Sequence, residues 1–246
     1  MQYQTNKIFR EYAELSSGCS LLNLSDFQAP FFCNLSYRVG DIPENVNRSR
    51  SIFCTELKIS PDGLAELEQV HGDIIVNVKQ SGLQGQADGM MTNLPGIALG
   101  IYTADCLPVL IYDPVQRCIA AVHSGWKGTA LQIAAKTVKA LTAEYGSQPH
   151  GLRVWIGPGI CGKCYEVGAD VADHFAAEYK KSQGDKFLLN LKKAVLDQLI
   201  AAGVSENNIE VCQDCTLEDK ENYHSYRRDN IRAGRNLTVI MLKVEK

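Results

Sequence analysis

A chain of 246 residues is long enough to bury a substantial core. With 45% apolar and 22% charged residues and a net charge of −3, it carries no basic field for nucleic acid or an anionic membrane. MQYQTNKIFREY has no signal-peptide apolar region, and no later run reaches the length of a membrane helix, so the expected compartment is the cytoplasm. Nine cysteines, at 19, 33, 54, 106, 118, 161, 164, 212 and 215, are an odd number and read as reduced thiols.

In chain order, the stretch up to Ala29 gives weak signals, with room for one or two short strands. Pro43–Leu57 reads as a helix, with Asp41 placed to cap it and Pro43 suited to its first turn. IIVNV (74–78) reads as a strand and SGLQGQADG after it as a polar loop. Residues 97–102, 109–112 and 118–122 are apolar runs separated by turn signals, among them Asp113-Pro114. Their unbroken apolarity predicts strands covered on both faces.

Residues 129–145 carry a helical period, with Thr129 and Gln132 in capping-box positions and Gly146 as the stop. Further on, 153–156 reads as a strand, 169–181 and 191–202 as helices with Gly203 closing the second, and 209–212 and 237–242 as strands. No repeat or linker divides the chain. The expectation is one domain over 1–246: a mixed α/β (α+β) layered fold, with mixed β-sheets flanked by helices.

Three residues suit a metal. His71 lies in QVHGD, Cys106 in TADCLP and His123 in AVHSGWKG, each at the edge of a predicted strand. Two imidazoles and a thiolate match Zn²⁺ and leave one position open for water or substrate. Their wide spacing follows no local zinc-finger grammar, so any shared site has to be assembled by the tertiary fold. Read singly, each has a plainer role: a strand-end histidine, an inert thiol beside a bend at Pro108, a loop imidazole. Cys106 as metal ligand competes with Cys106 as nucleophile, and ligand is the reading for the metal-loaded form.

Asp88 and Asp105 are candidates to orient a histidine through its second ring nitrogen. Arg48, Arg227 and Arg228 are candidates to grip phosphate, and so is the helix start near Lys127. For the rings of Trp126 and Tyr102, stacking on a ligand and packing in the core stay equally open. The pairs Cys161/Cys164 and Cys212/Cys215 raise a four-thiolate zinc site, but their separation is far wider than a zinc ribbon's, and unlinked thiols are expected.

At CNLSYRVGD, QVHGD, ADGMMTN, PGIALGIYTADCLPVLIYDP, AAVHSGWKG, WIGPGICGKCYEVG and CTLEDKENYHSYRRDNIRAGRNL the chain resembles the polyphenol oxidase or laccase-domain (YfiH-type) family. These segments run in family order from Cys33 to the carboxyl end. The resemblance implies His71, Cys106 and His123 as the catalytic metal trio, with zinc expected and copper the alternative. It also implies phosphorolysis of adenosine, inosine and S-methyl-5'-thioadenosine, together with hydrolytic deamination of adenosine. The partners are then purine nucleosides and phosphate, with no nucleic acid or membrane, on a monomer or homodimer.

For deamination, Asp105 or Asp88 would move the proton while the metal acidifies a water to a pKa of about 7. A copper-dependent polyphenol oxidase and a non-enzymatic zinc-stabilised binding module are the alternatives. The chain departs from the family in three places. FREYAELSSGCSLLNLSDFQAPFFCNLS replaces an Arg-Gly-Gly-Val-Ser-like segment, Lys127 stands where arginine is common, and Cys212 has no counterpart.

Overall fold

A computed structural model of the chain describes residues 3–22 and 27–244. Its strands are β1 (Tyr3–Gln4), β2 (Leu15–Ser20), β3 (Leu64–Glu68), β4 (Ile75–Asn77), β5 (Gly82–Gln86), β6 (Gly89–Thr92), β7 (Ala98–Thr103) and β8 (Leu107–Asp113). They continue with β9 (Cys118–Ser124), β10 (Arg153–Ile156), β11 (Glu166–Val167), β12 (Lys180–Gln183), β13 (Lys186–Leu189), β14 (Ile209–Val211) and β15 (Asn236–Leu242). The helices are α1 (Pro43–Leu57), α2 (Trp126–Ala130), α3 (Ile133–Tyr145), α4 (Ala169–Ala172), α5 (Leu191–Ala201) and α6 (Tyr226–Asp229).

Two six-stranded mixed sheets, ordered β1-β2-β15-β7-β3-β5 and β14-β10-β8-β9-β6-β4, make the body, and a three-stranded sheet, β11-β13-β12, lies beside them. The large sheets face each other. Leu99, Ile101 and Ile240 of the first meet Leu110, Tyr112, Ile119 and Trp155 of the second in one core. Behind the second sheet, Val109, Ile111, Ala120 and Val122 pack on α3 and α5 through Val138, Leu141, Val195 and Leu199. Behind the first, Val239 and Met241 pack on α1 through Phe53 and Leu57. The order of layers is helix, sheet, sheet, helix.

This layering explains the unbroken apolar runs. A strand between two cores sends alternate side chains to different hydrophobic interiors, so both parities are apolar. β8, β9 and β15 are buried at every position.

Several local expectations are corrected. α1 keeps its predicted limits, but its N-cap is Ile42 without a side-chain cap. Asp41 instead binds Asn34, Asn45 and the Ile42 N–H. Residues 82–86 of the expected loop form β5, an edge strand with little buried side-chain surface. The helix expected over 129–145 is two helices, broken where Gln132 takes φ +60°. Thr129 does not cap it; its hydroxyl binds Gly125 O and Ser124 Oγ. Of the helix expected over 169–181, only α4 and a 3-10 turn form before the chain enters β12, because that segment joins the small sheet. Pro108 lies inside β8, opposite His123, and does not end the strand.

Candidate metal and substrate site

The chain passes between the two large sheets at one end of the sandwich, and the site is built there. β3 belongs to the first sheet and β4 to the second, with His71 on the connection between them. β7 and β8 are likewise split between the sheets, and Cys106 sits in the short link that joins them. His123 is near the end of β9, in register with Pro108 of β8. Sheet crossing thus delivers three residues far apart in sequence to one point. One donor atom from each of His71, Cys106 and His123 lies within 4.8 Å of the others.

The local backbone is shaped for this. His71 and Asp105 adopt left-handed φ of +61° and +84°, conformations that a non-glycine residue holds only when its surroundings fix it. Gly125 has no room for a side chain: a Cβ there would sit 2.9 Å from Cys106 Sγ and 3.1 Å from His71 Nδ1.

Asp88 does what the sequence suggested. Its Oδ1 lies 2.7 Å from His123 Nδ1, and the N–H groups of Val70, His71 and Gly72 donate to the same carboxylate. One buried acid therefore fixes the His123 ring and the His71 loop together, leaving His123 Nε2 free to serve as donor. Burial works against the Asp88 carboxylate, but His123 and these N–H groups hold its pKa below the usual value. Burial also pushes the Cys106 thiol up, yet the two imidazoles outweigh it and bring the thiol down to about 6. His123 is raised to about 9: burial opposes its protonation, while Cys106 and Asp88 favour it. A cation held by the trio would take the place of the proton shared by His123 and Cys106.

Asp105 does something else. Thr216 Oγ1 donates to its Oδ1 and the Arg227 N–H to its Oδ2, each at 2.7 Å. Its carboxylate makes no hydrogen bond to a histidine; it ties the Cys106 link to the segment around 216–227.

A cleft of about 460 Å³ opens over the trio. Arg38, Arg235, Tyr102, Tyr226, Thr103 and Ser36 stand on its walls. Thr103 is buried, and its hydroxyl has no hydrogen-bond partner among the described residues. The expected phosphate grips lie elsewhere. Arg48 is on the exposed side of α1, over the Phe27 ring. Lys127 is exposed, on a helix of five residues, and lies over Trp126. Arg228 spends its guanidinium on Asp229 and on the carbonyls of Thr216, Leu217 and Tyr223. Arg227 leans on Tyr165 and donates to Glu166 O.

Arg38 and Arg235, which line the cleft, lie in the segments SYRVG and AGRNL and are not singled out by the sequence. Nothing in linear spacing marks which arginine faces a cleft. Of the two stacking candidates, Tyr102 reaches the cleft, with its hydroxyl bound by Glu66 and Arg50. Trp126 packs against His174. Residues 23–26 of the divergent amino-terminal segment lie outside the described residues.

The family model described as multi-copper polyphenol oxidoreductase laccase matches residues 26–243. A purine nucleoside phosphorylase of Deinococcus radiodurans is 38% identical over 213 residues, covering 85% of this chain and 81% of its own. The purine nucleoside phosphorylase YfiH of Escherichia coli is 31% identical over 237 residues, covering 92% and 93%. The crystal structure of a Bacillus licheniformis hypothetical protein YfiH superposes with a TM-score of 0.90 at 30% identity, covering 95% of this chain and 94% of that one. Spanning nearly the whole fold that assembles His71, Cys106 and His123, these likenesses establish that the chain belongs to the multi-copper polyphenol oxidoreductase laccase family.

Proposed function

We propose that the chain is a purine nucleoside phosphorylase. It would cleave adenosine, inosine and S-methyl-5'-thioadenosine with phosphate, giving the free base and the corresponding pentose 1-phosphate, and would deaminate adenosine at the same centre. The observation that carries this reading is the composition of the cleft: two imidazoles and a low-pKa thiol at its floor, two arginines on its walls. The names of the relatives at 38% and 31% identity support the same class.

The donor set fits zinc. No fourth His, Cys, Asp or Glu among the described residues joins the three, so a coordination position is left for a small molecule. Zinc held there supplies Lewis acidity and an acidified water. The chain's own residues do the rest. Asp88 sets the His123 tautomer and keeps the ring in place. Arg38 and Arg235 hold phosphate against C1′ of the ribose, where positive charge develops as the glycosidic bond loosens. The phosphate oxygen bonds to C1′ as the base leaves with the bonding pair and takes up a proton. Asp105 does not carry protons here; it positions Cys106.

A copper oxidase with a histidine-rich cluster is disfavoured, because His150, His174 and His224 are not part of the trio or of the residues lining its cleft. A purely structural zinc at the trio is disfavoured by the missing fourth donor. The test is product analysis of adenosine incubated with metal-quantified protein, with and without phosphate, beside Cys106→Ala. Adenine that requires phosphate and disappears in Cys106→Ala supports phosphorolysis, and inosine formed without phosphate supports deamination. Metal-loaded protein that turns over neither way would sink the reading.

A further inference from the structure

Away from the cleft, the fold gathers a second set of donors that neither cysteine pair announces alone. Cys161, Cys164, Cys215 and Glu218 each bring a ligand atom to within 4.8 Å of the others. Cys212 is not among them; its buried side chain joins the core between the sheets. The first two cysteines flank a tight turn in which the N–H groups of Cys164 and Tyr165 both donate to Cys161 O. Gly162 in that turn lies so close to Asn190 that a Cβ would approach its side chain to 2.8 Å. The Cys161 N–H donates to Cys215 Sγ at 3.2 Å, and Cys161 Sγ lies 3.7 Å from Glu218 Oε2. The tight turn thus brings Cys161 and Cys164 against Cys215.

We propose that these four residues form a structural zinc site, distinct from the trio and closed by four protein donors. Three thiolates and a carboxylate match a tetrahedral, borderline-soft dication. A Zn–S bond of about 2.3 Å puts tetrahedral sulfurs roughly 3.8 Å apart, so side-chain adjustment of the present cluster suffices. Binding releases three thiol protons and leaves the centre dianionic.

A nearby cation supports that charge independently. Lys192 is buried, with its ammonium on the carbonyls of Cys212 and Asp214 and no ion pair among the described residues. It lies within electrostatic reach of Cys212, Cys215, Asp214 and Cys161. Burying an ammonium is costly, and a dianionic metal centre beside it would add to the compensation that Asp214 gives.

The site also has something to hold. Gly159 pairs with Cys215 in an isolated bridge, and Ile160 N–H and Thr216 Oγ1 both donate to Asp105. Zinc would therefore staple the two segments that grip the residue next to Cys106.

Metal analysis after dialysis against a weak chelator tests this. Wild-type protein should keep about two zinc ions per chain, and Cys106→Ala and Cys164→Ser about one each. Cys212→Ser should keep both. Cobalt-substituted Cys106→Ala should show the intense visible bands and thiolate charge transfer of a tetrahedral sulfur-rich centre, even if Cys164→Ser fails to fold. Metal-free Cys106→Ala, or a Cys161–Cys164 disulfide found by mapping the untreated protein, would overturn the proposal.

Discussion

The two donor clusters differ in number and in surroundings. His71, Cys106 and His123 are three donors facing a cleft, the first two on links between the sheets and the third near the end of β9, with Asp88 bracing them. Cys161, Cys164, Cys215 and Glu218 are four donors on a tight turn and a facing segment beside a buried lysine. Three donors leave room for chemistry, whereas four consume the coordination sphere in holding the chain together. Ligand count, more than ligand identity, separates a reactive centre from a scaffold.

Several measurements can break or sharpen that contrast. The largest effect is expected at the open cluster. Cys106→Ala should lower phosphorolysis on the order of a thousandfold, the scale for losing a principal electrostatic group. Activity within a few-fold of wild type would assign the chemistry elsewhere.

Acid sensitivity offers a second separation, because part of it belongs to neither cluster. His224 is buried and its pKa is pushed down from 6.5 to about 4, chiefly by burial. As pH falls, the unfolded chain takes up this proton before the folded one does. The stabilisation is thus complete above pH 6.5 and is lost towards pH 4, about 3 kcal/mol in all. Urea midpoints measured with metal held saturating should fall across that window, and His224→Gln should flatten the fall. An unchanged slope in the variant would trace the acid lability to other titrating groups.

Asp88→Asn keeps the shape of the brace but removes its charge, and should cost about 10- to 100-fold in metal affinity or activity at the trio. The cysteine-rich cluster should keep its ion in the same protein; loss of both would mean the sites are coupled. The smallest contrast concerns phosphate. Arg235→Ala should raise KM for phosphate by about tenfold, the loss of one charge-assisted contact, with Arg48→Ala within about twofold. Steady-state kinetics at varied phosphate decide this, and the reverse order would remove Arg235 from the phosphate site.

The legibility of the fold followed the range of the interactions involved. The expected limits of strand 153–156 and helix 43–57 match the structure to the residue, because a short apolar run and a proline at the first turn are local signals. Strand β5 and the short α4 depart from expectation: one pairs at a sheet edge with no apolar alternation, and the other gives way to β12, which pairs with the next strand, β13, in a tight hairpin. The same division runs through the candidate site. His71, Cys106, His123 and Asp88 are singled out by donor chemistry and by the family segments they lie in, whereas Arg38 and Arg235 are not, since any arginine reads alike until a cleft is formed. Asp105 was placed beside the right cysteine and given the wrong partner.

By itself, then, the sequence determined the layered α/β class and the doubly covered central strands, and it named His71, Cys106 and His123 as candidate donors. Those properties depend on side-chain chemistry and on periodicities that span only a few residues. Only the tertiary structure decided which donors meet. It split β3 from β4 and β7 from β8 between facing sheets, turned Asp105 towards Thr216, and selected Cys215 over Cys212 as the partner of Cys161 and Cys164. Such choices depend on long-range strand pairing and on the direction each side chain takes from it, and local sequence encodes neither.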